Sequence, residues 1–355
     1  MDKIDILDNP EKIAEIDKGG MLETAAGMPE MLVEAGALAA SVAVRQPKKI
    51  GQIVIAGMGG SAISGNIVAD LLRDQSAPPV FVNRDYTVPA FVGRETLFFA
   101  LSYSGNTEET LAAVKEAAKR GALIVCVTSG GKLKEIASAN KGGLYLVPAG
   151  YQPRAALPFL LVALLKGLED AGVHTGLQPA LAESIALLRQ LRSEYGPEKP
   201  LRGNEVKQLA KKLLGKIPIV IGSSGTTAAA ALRLKCQFNE NSKVTALFNL
   251  FPELNHNEIV SLAALSREDH KFALVFLRDQ RDAERVKKRM AITKSLIGRQ
   301  LGGVSEVWSQ GKGVLASILS LIYFGDLLSV YLAVLSRVDP TPVVVIARLK
   351  KELSR

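Results

Sequence analysis

The sequence predicts an α/β protein built from two halves, each a mostly parallel sheet flanked by helices, and three observations lead there. Short β-rich runs alternate with amphipathic segments of helical spacing along most of the chain. Many of the 31 glycines fall at the ends of apolar runs, where strand-to-helix turns use them. Finally, IVIAGMGGSAISGNIVADLL in the first half is echoed by IPIVIGSSGTTAAAALRLKC in the second. Each is a strand, a Gly/Ser turn and a helix of small residues, which suggests a duplicated domain. A chain of 355 residues is long enough for two domains.

The elements follow in order. IVIAG (53–57), VFVNR (80–84), TLFFALS (96–102), LIVCVT (123–128) and LYLVPA (144–149) read as strands, with amphipathic helices at 61–74 and 106–119 between them. After residue 150 come two helical segments, then GPEKPLRGN (196–204), whose proline, glycine and charge read as a linker. The expected domains are therefore 1–195 and 196–355. A second series has strand candidates IPIVIG (217–222), a run within 243–250, FALVFL (272–277) and SEVWSQ (305–310). An apolar stretch (313–336) precedes DPTPVVVIARLKKEL, where Asp339–Pro340 reads as the start of a last helix.

The apolar stretch 313–336 passes the usual threshold of ~20 residues for a membrane span. Asp326 in its middle, and the lack of anchors at both ends, predict instead a helix buried in a core or a subunit interface. The net charge of +9 is spread rather than gathered into one tract, and aromatic residues, only 5%, do not interleave with it. That pattern speaks against a nucleic-acid or membrane partner and for an anionic small molecule. Cys126 and Cys236 lie in apolar runs and are expected to be buried free thiols of a reducing compartment. The polar, acidic opening MDKIDILDNPEKIAEIDK has no signal-peptide order, so a cytoplasmic location is expected. His174 and His270 read as surface-turn residues, and three dispersed histidines without C-x-x-C predict no metal site.

Two turns carry the candidate chemistry. Ligands of parallel sheets bind at the carboxyl ends of strands, where helix N-termini present unbonded N–H groups. GMGGSAISG (57–65) sits at such a place, with Gly59 and Gly60 permitting close backbone approach and Ser61 offering a hydroxyl. Gly57-x-Gly59-x-x-Ala62 also matches a relaxed dinucleotide fingerprint, but Asp85 is a poor ribose partner at its spacing behind Arg84. In SYSGNTEET (102–110), Ser102, Ser104 and Thr107 can converge on one dianion, or simply cap a helix. Both turns together resemble the sugar isomerase (SIS) fold, which binds phosphosugars with an S-x-S-G-x-T loop.

In the second half, QFNENSK places Glu240 at the end of an Ala-rich helix starting near 225, a candidate base with Lys243 close by. FPELNHNEIV places His256 among polar neighbours. With PRAALPFLL and the final DPTPV, these motifs resemble the bifunctional phosphoglucose/phosphomannose isomerases over nearly the whole chain. The resemblance implies two SIS domains and an aldose–ketose isomerase of sugar phosphates with no cofactor, working as a homodimer. Ser61, Ser102, Ser104 and Thr107 would hold the phosphate, and Glu240 would move the proton between C1 and C2. His256 would open the ring across a dimer interface, and Arg154 would stabilise the enediolate. Thr341 would leave room for rotation about C2–C3, with Lys350, Arg348 or Lys351 as a cation nearby. A non-catalytic SIS sensor is the rival, although no effector module accompanies the two halves. The stretches at 196–204 and 278–312 are expected to be connections longer than those of the shortest members.

Overall fold

A computed structural model describes residues 5–39, 49–75, 77–139, 143–265, 271–298, 301 and 303–353. From the amino terminus, helices α1 (Pro10–Ile16), α2 (Met21–Ala26) and α3 (Met28–Ala39) precede a run of alternating strands and helices. That run is β1 (Gln52–Ala56), α4 (Gly59–Leu72), β2 (Val80–Asn83), β3 (Thr96–Leu101), α5 (Glu108–Lys119), β4 (Leu123–Thr128), α6 (Gly131–Ala139) and β5 (Gly143–Leu146). Helices α7 (Leu157–Asp170), α8 (Leu177–Tyr195) and α9 (Glu205–Leu213) lead to β6 (Ile217–Ser223), α10 (Ala228–Gln237) and β7 (Leu247–Phe251). The chain continues through α11 (Glu258–Ala264), β8 (Phe272–Arg278), α12 (Glu284–Ile297), β9 (Val304–Trp308), α13 (Val314–Leu335) and α14 (Val344–Leu353).

The chain divides into two units, one of Gly27–Leu188 with Gln310–Ser320, the other of Met1–Ala26, Arg189–Ser309 and Leu321–Arg355. In the first, five parallel strands are ordered β2-β1-β3-β4-β5. All six residues of β3 are buried, because helices cover both faces and a central strand then needs apolar residues throughout. One face packs Val54, Phe98 and Cys126 against Leu111 and Val114 of α5. Burial pushes the Cys126 thiol up to about 12, so it stays protonated, while Cys236 is only half-buried. In the second unit, four parallel strands are ordered β7-β6-β8-β9, with Ile219, Ile221 and Phe276 packed against Met290 and Ile297 of α12.

Strand limits agree with the sequence reading to within a residue or two, except that β5 ends at Leu146 rather than at 149, and three other features differ. Residues 196–204 link α8 to α9 and are held by bonds to the amino-terminal segment. The buried Lys207 ammonium needs several acceptors, and it finds the Pro197 carbonyl (3.0 Å), the Leu7 carbonyl (2.7 Å) and Asp8 (3.0 Å). The 196–204 segment is therefore tied to the amino-terminal one, and the Leu201 N–H also donates to Asp8 (2.8 Å). Second, the last helix starts at Val344 and not at Asp339–Pro340. Asp339 and Thr341 each precede a proline and so disfavour helical backbone, and Asp339 instead accepts from the Thr341 N–H (2.9 Å). Third, the helix from near 225 begins at Ala228. His174 is exposed as expected, whereas His270 lies outside the described residues.

The apolar helix α13 is a core element, 94% buried over its most apolar window. Asp326 in its middle is answered in a protein-like way. The Arg233 guanidinium of α10 grips it with two bonds (2.9 and 2.6 Å), and the Gln237 amide adds a third (2.9 Å). A buried carboxylate persists only where such partners offset its lost hydration.

Candidate active site

In the five-stranded sheet, β1 leads through α4 to β2 on one side, and the chain then crosses to β3 on the other. The carboxyl ends of β1 and β3 therefore flank a topological switch point, where open α/β sheets bind ligands. Residues Ala56 and Ala100 are in register there, so the two Gly/Ser turns that follow lie side by side. Ser61 is buried in the first turn of α4, a helix whose N-cap, Met58, makes no side-chain cap bond. The leading N–H groups of that helix, at Gly59 and Gly60, have no carbonyl within the helix to bond.

The second turn is held as a rigid cradle. Ser102 Oγ pairs with Thr107 Oγ1 (2.8 Å) and accepts from the Thr107 N–H (3.4 Å), so the α5 start has no ordinary cap. The Asn106 N–H donates to Ser104 Oγ (3.3 Å), and the Asn106 carboxamide accepts from the Lys132 N–H (3.2 Å). Gly105 has φ +69°, and any Cβ there would overlap the Gly130 carbonyl. Tyr103, which the sequence reading passed over, fastens the turn to the segment before Arg154. Its hydroxyl donates to the Pro148 carbonyl (2.8 Å) and accepts from the Tyr151 N–H (2.9 Å). Burial raises its pKa, which keeps the hydroxyl a donor. Arg154 is itself buried, and Gly60 approaches it so closely that an added Cβ would lie 3.2 Å from its Cα. Thus Gly59, Gly60, Ser61, Ser102, Ser104, Thr107 and Arg154 belong to one unit, at one end of one sheet. Asp85 accepts from its own Tyr86 N–H (2.6 Å), closing a local turn.

The four-stranded sheet repeats the switch point between β6 and β8, but the outcome differs. After β6, the Thr226 hydroxyl donates to Asp282, and Thr227 Oγ1 accepts from the Ser223 N–H (2.8 Å) and donates to the Leu277 carbonyl (3.2 Å). Asp279 and Asp282, both 2% exposed, are buried carboxylates just after β8, and Asp282 accepts from the Thr226 hydroxyl. The echo in sequence is a structural echo in which the turn's hydroxyl is bonded to a carboxylate of its own unit.

Glu240, His256, Thr341 and Lys350 all belong to this second unit. Glu240 is half-buried on a π-helical turn, Phe238–Ser242, that continues α10. Helix α13 clamps that turn from below. The Asn241 amide donates to Ser329 Oγ (2.9 Å), and Ser242 Oγ donates to the Ser329 carbonyl (2.6 Å). The Lys243 ammonium donates to the Glu240 carbonyl (2.6 Å) and the Pro340 carbonyl (2.9 Å), tying the Glu240 turn to the residue before Thr341. Thr341 in turn packs on Gly19, closely enough to overlap any Cβ there.

His256 ends a short 3₁₀ turn, Glu253–His256, and is exposed. Its polar neighbours are occupied. The Asn255 amide donates to Thr293 Oγ1 (2.8 Å), the Asn257 amide donates to Glu253 (2.7 Å), and Asn257 Oδ1 caps α11 by accepting from the Glu258 N–H (2.6 Å). The neighbours hold the loop and leave the imidazole facing outward. Lys350, with Arg348 and Lys351, lies on α14, where every residue is exposed. Among the described residues no group of three or more His, Cys, Asp or Glu could hold a metal ion.

Comparison with known proteins places this geometry in context. Residues 48–148 match the SIS domain family, and residues 202–353 match the family described as the bacterial phospho-glucose isomerase C-terminal SIS domain. A bifunctional phosphoglucose/phosphomannose isomerase of Caldicellulosiruptor bescii is 43% identical over 94% of this chain and 99% of its own length. One from Aquifex aeolicus is 39% identical over 85% of this chain and 90% of its own. Among solved structures, a glucose-6-phosphate isomerase like protein from Thermus thermophilus shares the fold at a TM-score of 0.62. It has 21% identity and covers 97% of this chain and 98% of that one.

Proposed function

Because the chain belongs to the family of bifunctional phosphoglucose/phosphomannose isomerases, we propose that it interconverts glucose 6-phosphate and mannose 6-phosphate with fructose 6-phosphate through a cis-enediol. The observation that carries the reading is the Ser102–Thr107 hydroxyl pair at the uncapped start of α5, beside the equally uncapped α4. Hydroxyls and N–H groups of the two turns stand at that switch point, with Arg154 close to Gly60, which suits a phosphate dianion.

On this reading Ser61, Ser102, Ser104 and Thr107 hold the phosphate, with the N–H groups of Gly59 and Gly60. His256 protonates the ring oxygen and takes the proton of the C1 hydroxyl, which opens the ring. Its outward position on a pinned loop supports its acting in the site of a second copy, and a homodimer is part of the proposal. Glu240 removes the C2 proton of the open aldose and returns it to C1, while the hydroxyl proton moves between the two oxygens. One base must reach both carbons, and the α13 clamp on its turn supplies the needed rigidity. The Arg154 cation stabilises the negative oxygen of the enediolate. Thr341 leaves space for rotation about C2–C3, so that either C2 epimer presents its proton to Glu240. Lys350 is the carboxyl-terminal cation of the site, with Arg348 and Lys351 its neighbours on α14. The hydrogen travels as a proton, so the chemistry asks for no redox group.

In chain order, we assign residues 1–195 to phosphate recognition and 196–355 to the base and ring-opening group. A cytoplasmic setting is part of the proposal, in keeping with the free cysteines Cys126 and Cys236, and the substrates suit glycolysis and gluconeogenesis. The test is a metal-free coupled assay of fructose 6-phosphate formation from each aldose, on wild type and Glu240→Gln. Wild type is expected to turn over both, and the variant to lose about 10²- to 10⁴-fold of kcat with either. A wild type that binds both sugars and converts neither would instead be a SIS sensor.

A further inference from the structure

We propose that Lys243 is a positioning residue for Glu240, a strut whose ammonium sets the Glu240 turn against the loop that carries Thr341, and with it the balance between the two C2 epimers. The inference rests on the isomerase reading above and names a residue that the reading does not use.

Lys243 stands in backbone that an L side chain disfavours. It ends the turn Phe238–Ser242 with φ +56° and ψ +28°, the left-handed conformation in which glycine most often closes a helix. The closure is otherwise ordinary, with the Val244 N–H donating to the Phe238 carbonyl (3.1 Å). Among the described residues, only Lys243 and Arg337 have positive φ without being glycine. A Cβ in this conformation crowds the following carbonyl oxygen, so glycine would close the turn at lower cost. What lysine adds there must come from its side chain.

That side chain is held in a way unusual for an exposed lysine. Fixing the long stem in one rotamer costs entropy, and an ammonium in water gains little from it. The Lys243 ammonium nevertheless donates to two carbonyls, of Glu240 (2.6 Å) and of Pro340 (2.9 Å). The first bond has a local reason. Glu240 is among the last four residues of its turn, whose carbonyls lack a helical partner and favour a cation. The second bond reaches across 97 positions to the residue before Thr341, and the end of the Glu240 turn gives no reason for it.

The second bond joins two chain segments that are otherwise anchored separately. The Glu240 turn is fastened to α13 through Ser329. The Thr341 loop leaves α13 through Arg337 (φ +55°), folds on itself through the Asp339 bond to the Thr341 N–H (2.9 Å), and packs on Gly19. Lys243 links the turn to the loop, and both ends of the link lie in one unit. On the isomerase reading one carboxylate serves either epimer after rotation about C2–C3. The gap between Glu240 and Thr341 then decides which rotation fits. With the strut released, the loop can shift against the base, and the two aldoses are affected unequally.

The test is steady-state kinetics with each aldose, beside a urea melt, on wild type, Lys243→Gly, Lys243→Arg, Gly19→Ala and the Lys243→Gly/Gly19→Ala double variant. Glycine is at ease at φ +56°, so the Lys243→Gly melt should stay close to that of wild type. Its kcat should fall by up to about 100-fold with KM little changed, and the ratio of mannose 6-phosphate to glucose 6-phosphate turnover should change. Lys243→Arg keeps a cationic donor, and Arg337 already holds arginine in this conformation, so its ratio should stay at the wild-type value. In the double variant the change of ratio should differ from the product of the single changes, because both act through the Thr341 loop. Should Lys243→Gly fail to fold, Lys243→Asn replaces it, since asparagine also tolerates left-handed backbone. An unchanged ratio in Lys243→Gly, independent effects in the double variant, or an arginine variant as impaired as the glycine one would each overturn the inference. A lowered melt with equal losses for both aldoses, the mark of a structural cap alone, would do the same. A wild type that converts neither aldose refutes the isomerase reading and this inference with it, whereas an active wild type with an indifferent Lys243→Gly refutes the inference alone.

Discussion

The duplicated Gly/Ser turns permit a test of which crevice holds the phosphate. Ser102→Ala removes a buried hydroxyl that is bonded to Thr107 on two sides, through Oγ1 at 2.8 Å and the N–H at 3.4 Å. Without it, the phosphate loses one donor, and Thr107 loses the partner that orients it. A hydrogen bond to a charged group contributes about 1.5–3 kcal/mol, or roughly 10- to 150-fold in affinity. The loss should fall on KM for both aldoses with kcat little changed, because phosphate contacts exist in ground and transition states alike. The matching change in the other sheet is Thr226→Val. There the hydroxyl serves Asp282, a buried carboxylate of the same unit, so the cost is about 1–3 kcal/mol of stability and KM stays unchanged. The assay is steady-state kinetics with each aldose, beside a urea melt of each variant. An unchanged KM in Ser102→Ala, or an equal rise in Thr226→Val, would refute the assignment of phosphate to the first crevice.

Other outcomes follow from the second unit. Gly19→Ala puts a Cβ into the Thr341 side chain, so Thr341 must move, and the ratio of mannose 6-phosphate to glucose 6-phosphate turnover should change; an unaltered ratio would remove Thr341 from the account of epimer choice. Asp326→Ala leaves the Arg233 guanidinium buried without its carboxylate, which should cost about 3–5 kcal/mol in a urea melt and lower kcat through the turn that carries Glu240. A melt within error of wild type would contradict the stabilising role of the Asp326–Arg233 pair. For Asp279, burial pushes the pKa up, but the Arg281 bonds and the Ser309 hydroxyl outweigh it and hold the carboxyl below its ordinary value. Its stabilising contribution is therefore present above the unfolded value of about 3.9 and is lost as pH falls through the lower folded value. Asp279→Asn should flatten the fall of unfolding free energy from about pH 6 to about pH 3, and parallel curves for the two proteins would exclude the effect.

What could be read in the chain was local. The strands announced themselves as Val/Ile/Leu/Phe runs because a parallel sheet covered on both faces needs apolar residues at every position. The placement of Ser61, Ser102, Ser104 and Thr107 in turns at strand ends was legible because each sits within a few residues of a strand, and the turn's conformation is written in its own glycines. The packing of 196–204, which composition reads only as a linker, was not legible for the opposite reason. Its packing depends on acceptors from Leu7 and Asp8, some two hundred positions away, and composition carries no sign of them.

Sequence alone therefore determined the α/β class, the duplicated strand–turn–helix units, and the residues of each turn, all of which depend on neighbours along the chain. Tertiary structure alone decided that the hydroxyl of the second turn is bonded to a carboxylate, because Asp282 reaches Thr226 only once β8 lies beside β6. It likewise decided the fate of the apolar helix, since Asp326 is a misfit in α13 until Arg233 and Gln237 of α10 are packed against it. Hydrogen bonds of fixed length between distant residues settle such questions, and spacing along the chain does not encode them.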